Sequence, residues 1–334
     1  MPPRRTRSAT ILVSAALVVF GGAFLASGPG NADPVEAAPA PIASVERIST
    51  GSTQHLVGVT HFAYSRGRDR PLPTTVWYPA AGRPRRGAKT VPVTDATPAA
   101  GRFPLIVWSH GLFSTPEDQS GTTKFLAANG FVVVAAAYPY TKKGLKNVNR
   151  ADIPNQALDA SFVITKLLGK GSPLAAHIDP ARLAAAGHSA GGTTTNGMFT
   201  KHRDARLKAG VVVSGRPLGG YTGSPVPLLF IHGDKDPVVA YDQGRTAYAA
   251  VPWPKAFLTM VGCEHGASLG EPDRGHTQVM STMLDFLRWT LDGDVDARDR
   301  LPSDGTLAGV ARFESVGIFG PGKQASTPVS RPRD

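Results

Sequence analysis

One serine in this chain sits where a hydroxyl can be made into a nucleophile. Ser189 lies in the run LAAAGHSAGGTTTNGM (183–198), with Gly187 two positions before it and Gly191 two after. A G-x-S-x-G segment makes a sharp strand-to-helix turn, because residues without side chains at those two positions let the backbone fold tightly beneath an exposed hydroxyl. Alone, the pattern is weak in a chain of 334 residues with 37 glycines. Its place makes it specific: it lies after a short apolar run and before a segment of helical character.

A serine hydroxyl needs a base to take its proton and an acid to orient that base, expected downstream in the order serine, acid, histidine. FIHGDKDPVV supplies two acids, Asp234 and Asp236. Asp236 lies deeper in the loop and is followed by PVV, which can pack and fix it, so it is the first choice and Asp234 the alternative. His265 in GCEHGAS follows the next apolar run directly and is the expected base. His276 in DRGHTQ stands near the start of the last helical segment, where a surface or capping role suits it better. His188 points away from the serine on such a turn and reads as structural, and His232 reads as the start of its loop. The oxyanion formed on attack needs N–H donors. One is Ala190, directly after the nucleophile. The other is expected from SHGLFST (109–115), where Leu112 offers its N–H and Phe113 stands beside it against the substrate. The chemistry is acyl transfer to water through an acyl-enzyme, with Phe113, Tyr138, Tyr140 and Tyr221 as candidate cleft aromatics. No cofactor and no metal are expected, since no histidine pair or cysteine cluster suggests one.

Such a constellation has to be carried by strand ends. Apolar runs at 104–111, 131–138, 182–188, 208–214, 227–233 and 255–262 read as buried strands, and 122–130, 155–169 and 275–291 read as helices. Continuous apolar strands alternating with helices predict a mainly parallel sheet covered on both faces. HLVGVTHFAY and LPTTVWYP, separated by a charged turn, predict antiparallel strands at the N-terminal edge. Between the strands at 208–214 and 227–233 only GRPLGGYTGSPV intervenes, too short and too rich in Gly and Pro for a large lid.

Together SHGLFS, GHSAGG, HGDKDPVV and CEHGAS resemble the α/β-hydrolase superfamily in order and spacing, over about residues 55–300. LPTTVWYPA followed by SHGL and GHSAGG is most similar to secreted esterases of the platelet-activating-factor acetylhydrolase and dienelactone-hydrolase-like type. A more distant similarity is to cutinase-like polyester hydrolases. The resemblance implies a serine esterase acting on a small-molecule or lipid ester. Two departures stand out. Cys263 is the only cysteine, so the disulfide common in cutinase-like enzymes is excluded, and the nucleophile is serine where dienelactone hydrolases use cysteine.

The ends carry other signals. Arg4, Arg5 and Arg7 precede the apolar run ILVSAALVVFGGAFL (11–25), which reads as a signal peptide over residues 1–32, followed by an Ala/Pro-rich tether at 33–54. The catalytic domain is expected over 55–301, and 302–334, rich in Gly, Pro and Ser, as a loosely ordered tail, of which LAGVARFES (307–315) can lie back on the domain. Removing the first 32 residues takes away three arginines and no acids, so the net charge falls from +11 to about +8. The remaining cations are scattered, without a basic stripe interleaved with aromatics, which argues against nucleic acid. Export to the medium or the cell envelope, weak attraction to an anionic envelope and action as a monomer are the expectations.

Overall fold

The computed structural model describes residues 54–84 and 90–319. The proposed signal peptide and all but the last residue of the tether lie outside them. Ten strands form a single sheet: β1 (Leu56–Ser65), β2 (Pro71–Ala80), β3 (Val93–Thr94), β4 (Phe103–Ser109), β5 (Val132–Ala136), β6 (Ile178–His188), β7 (Leu207–Val213), β8 (Leu228–Gly233), β9 (Lys255–Met260) and β10 (Ala311–Val316). Across the sheet they run β10-β9-β8-β7-β6-β4-β5-β2-β1-β3. Neighbours from β5 through β4, β6, β7 and β8 to β9 are parallel. β2 is antiparallel to both β1 and β5, as the N-terminal sequence predicts.

The side chains of successive strand residues point to opposite faces, and two cores result. Ile106, Trp108, Val133, Val211 and Ile231 face α1 (Ser120–Ala128), α5 (His276–Leu287) and α6 (Val295–Asp304). Leu105, Val107, Val134, Val212 and Phe230 face α2 (Ile153–Leu168), the end of α3 (Ala190–Gly197) and α4 (Tyr241–Ala250). Both faces of each central strand are therefore dry, which is why these strands read as unbroken apolar runs. The result is an α/β-hydrolase domain.

α3 is a helix that propensity alone would not build. Its sequence AGGTTTNG is poor in helix formers, yet every residue is buried. Thr194 and Thr195 donate their hydroxyls to the carbonyls of Ala190 and Gly191, four residues back, at 3.0 and 2.9 Å. Those bonds let short polar side chains stay satisfied in a dry environment.

The C-terminal expectation needs correction. The domain does not end at 301, and residues 302–319 are not a loose tail. α6 runs to Asp304, and β10 pairs antiparallel with β9, from Ala311 opposite Met260 to Val316 opposite Lys255. ARFESV alternates inward and outward residues, and β9 would otherwise present an unpaired edge. Residues 320–334 lie outside the described part. Segment 214–227 contains no helix, in keeping with the absence of a large lid there.

Candidate active site

Ser189 stands between β6 and α3 with φ 60° and ψ −119°, a conformation that non-glycine residues avoid at about 1–3 kcal/mol. The surrounding backbone enforces it. The Ser189 N–H donates to Val213 O at 2.9 Å, and Thr193 N–H donates to Ser189 O at 3.0 Å. The flanking glycines are required by contact: a Cβ on Gly187 would lie 2.5 Å from the Gly191 carbonyl oxygen, and one on Gly191 would overlap the Ser109 carbonyl.

From that turn the predicted partners follow in line. His265 Nε2 is 2.7 Å from Ser189 Oγ, and His265 Nδ1 is 2.8 Å from Asp236 Oδ2. A carboxylate only accepts, so Nδ1 carries the proton and Nε2 presents its lone pair to the hydroxyl. Asp236 is nearly buried, and its other oxygen accepts from Val238 N–H and Val239 N–H at 2.8 and 2.9 Å. Burial opposes its charge, but the bonds from His265 and these two amides hold its carboxyl below the ordinary aspartate range. PVV thus fixes the acid through its backbone.

The alternatives are placed elsewhere. Asp234 accepts from Gly262 N–H at 2.7 Å and braces the turn after β9. His276 opens α5, with Nδ1 3.1 Å from Ser268 O. His232 is buried at the end of β8, where Nε2–H donates to Val239 O at 2.9 Å and lies 3.1 Å from Asp236 Oδ2. His232 is therefore more than the start of a loop, since it borders the acid.

The loop after β4 packs against the nucleophile. A Cβ on Gly111 would sit 3.3 Å from Ser189 Cβ. His110 is buried in this loop, and burial pushes its pKa down to about 4, so the ring stays neutral. Its Nε2 accepts from Tyr138 N–H at 3.0 Å, which leaves Nδ1–H to donate to Gly111 O at 2.7 Å. The Gly111 carbonyl and the Leu112 N–H share one trans peptide and point opposite ways, so the clamp on one aims the other. The N–H groups of Leu112 and Ala190 have no acceptor among the described residues. Phe113 is 56% exposed with φ 56°, its N–H bonded to Thr141 O at 2.9 Å.

Of the other aromatics, Tyr140 stays part-exposed. Tyr138 is fully buried, its hydroxyl 2.7 Å from Ser109 Oγ, and Tyr221 is half-buried against Trp253 with its hydroxyl on Asn196 at 2.8 Å. Tyr138 is core packing, and Tyr221 packs against the edge of the core.

Ser214 and Gln119 carry no motif and are missed by the sequence. Ser214 Oγ donates to His265 O at 3.2 Å, and Gln119 contacts His188. Strain gathers here: besides Ser189, the residues Phe113, Ser214, Ala267 and Ser268 all have positive φ. A cleft of about 650 Å³ opens beside the base, with Phe125, Leu269 and Met280 as its apolar wall and Gln119, Lys124 and Glu271 among its polar groups. Among the described residues no three His, Cys, Asp or Glu side chains gather as a metal site. The arrangement can deprotonate a hydroxyl, hold an oxyanion and return a proton to a leaving group.

Residues 84–301 match the family model described as PETase, PET hydrolase-like. No curated protein matches the chain. Among solved structures, the ferulic acid esterase from Streptomyces cinnamoneus is similar at 20% identity and a TM-score of 0.59, over 75% of this chain and 93% of that one. It is one of 1006 matching chains, a fold too widespread to name a substrate.

Proposed function

The chain belongs to the PET hydrolase-like family and is a carboxylic ester hydrolase; on that premise we propose that it is an exported serine esterase with Ser189 as nucleophile, His265 as base and Asp236 as orienting acid. The family is the polyester-hydrolase side of the resemblance read from the motifs. The observation that carries the mechanism is the unbroken line Asp236–His265–Ser189, with bonds of 2.8 and 2.7 Å, at a strained turn.

His265 Nε2 takes the hydroxyl proton as Ser189 Oγ bonds to the ester carbonyl carbon. The resulting imidazolium is stabilised by the Asp236 carboxylate. The carbonyl oxygen becomes an oxyanion and accepts from Leu112 N–H and Ala190 N–H, each such donor being worth about 3–4 kcal/mol. Collapse breaks the bond to the alcohol, which leaves with the proton from His265. Water, deprotonated by the same nitrogen, then releases the acid and frees Ser189.

The substrate we favour is an ester with an extended chain, of the polyester type. Support comes from the family and from a nucleophile that no helix in 214–227 covers, which lets a long chain lie across the site. Export rests on the basic and apolar N-terminal segments. Ser189→Ala is expected to lower hydrolysis of p-nitrophenyl butyrate at least 10³-fold in a folded protein, and a fluorophosphonate probe to label Ser189 alone. Undiminished turnover, or labelling of another serine, overturns the assignment. A folded wild type that hydrolyses no ester in a series of acyl lengths and short polyesters would instead mark a binding protein on a hydrolase scaffold.

A further inference from the structure

His188, the residue before the nucleophile, is not used by the mechanism, yet it is half-buried beside it at the cleft. Its ring lies 4.9 Å from that of His265, tilted by 47°. Its Nε2 is 2.8 Å from the backbone oxygen of His265, and its Nδ1 is 3.1 Å from Gln119 Nε2. Gln119, just before α1, in turn accepts through Oε1 from the indole Nε1–H of the fully buried Trp108.

The polarity of this chain follows from its ends. An indole nitrogen can only donate and a carbonyl can only accept. Gln119 must therefore turn its oxygen to Trp108 and its NH₂ to His188. That leaves His188 Nδ1 as an acceptor and places the ring's one proton on Nε2, where it meets the His265 carbonyl. No link can be reversed without setting donor against donor. Burial acts in the same sense, pushing the His188 pKa down to about 4 and keeping the ring neutral.

We propose that Trp108, Gln119 and His188 form a one-way hydrogen-bond relay that positions the catalytic base by holding the main chain of His265. The need for it lies in the loop. His265 sits between β9 and α5 on a segment without regular structure, and Ala267 and Ser268 just beyond it have φ 45° and 60°. Its backbone oxygen is held by His188 and by Ser214 at 3.2 Å. The relay joins β4, α1, the nucleophile turn and the base loop, and so sets the distance from Nε2 to Ser189. These three are positioning residues; none touches the reacting atoms.

The proposal rests on the triad reading, and one set of measurements separates the two. In the wild type, ¹⁵N imidazole spectra are expected to show His188 as the pure Nε2–H tautomer at pH 7. An Nδ1–H tautomer overturns the relay outright. Trp108→Phe removes the indole donor, together with part of the ring volume, from a fully buried position, and frees the Gln119 amide to turn over. His188 keeps Nε2–H, because the His265 carbonyl still requires a donor, but its Nδ1 loses a fixed partner. As a result kcat on p-nitrophenyl butyrate is expected to fall about tenfold with KM unchanged, since misplacement by about 1 Å can cost up to 10²-fold. Gln119→Leu cuts the relay at its middle, carries the same expectation for kcat and stands in if the core variant does not fold. A kcat within twofold of wild type in either folded variant overturns the relay and leaves the triad intact. Full turnover by Ser189→Ala would instead overturn the triad.

Discussion

At the scale of single residues, the site is built as much by absent side chains as by present ones. Gly191 and Gly111 both border the nucleophile, but with unequal tolerance. A methyl at Gly191 would overlap the Ser109 carbonyl, whereas one at Gly111 would meet Ser189 Cβ at 3.3 Å, a contact that a small shift relieves. Gly191→Ala is therefore expected to abolish both the folded turn and activity, read as loss of soluble protein or of fluorophosphonate labelling. Gly111→Ala should fold, keep labelling and lose activity only in part; equal behaviour of the two would contradict the packing described. The hydrogen-bonded line of Ser189, His265 and Asp236 was legible in the sequence because the proposed chemistry demands those residue types in that order. His188, Gln119 and Ser214 were not, since their roles depend on which ring nitrogen faces which carbonyl, and no spacing encodes that. Tyr138 could not be placed for a related reason: a tyrosine near the site packs inward as readily as it lines a cleft, and this one is fully buried.

At the scale of elements, the apolar runs marked each central parallel strand from β4 to β9 because those strands are dry on both faces. The elements that went unread are the ones stabilised by tertiary context. α4 (YDQGRTAYAA) is polar and contains a glycine, and it holds mainly through Ala247 and Tyr248 in the core. α6 holds Pro302 in its last turn and depends on a cap and an ion pair: Asp294 accepts from Ala297 N–H at 2.9 Å, and Arg300 grips Asp285 of α5 at 2.8 and 3.0 Å. Asp294→Ala is expected to cost about 1 kcal/mol, a fall in Tm of about 2–4 °C for a domain of this size. A thermal melt that does not move would mean that packing against α5 alone holds the helix. Asp294→Ser, which can cap equally well, should restore the difference.

At the scale of the whole molecule, the seam between α5 and α6 makes stability depend on pH. Burial and the neighbouring Asp285 carboxylate push Asp304 up from 3.8 to about 6. Below about pH 4 both folded and unfolded chains hold this proton. Between pH 4 and 6 the folded chain keeps a proton that the unfolded chain has lost, so stability from this group falls as pH rises and is lowest above 6. Asp304→Asn cannot ionise, and its Tm should exceed that of the wild type at pH 8 and equal it at pH 4; an equal gain at both values would refute the linkage. The order of the sheet has a further consequence, in time. From β6 the chain moves outward through β7, β8 and β9 and ends the sheet with β10, so serine, acid and base enter in that sequence and the edge closes last. Synthesis runs the same way. A nascent chain, or one clipped before residue 265, holds its hydroxyl with no base to activate it. The proposed triad is therefore complete only once the chain has been made past β9.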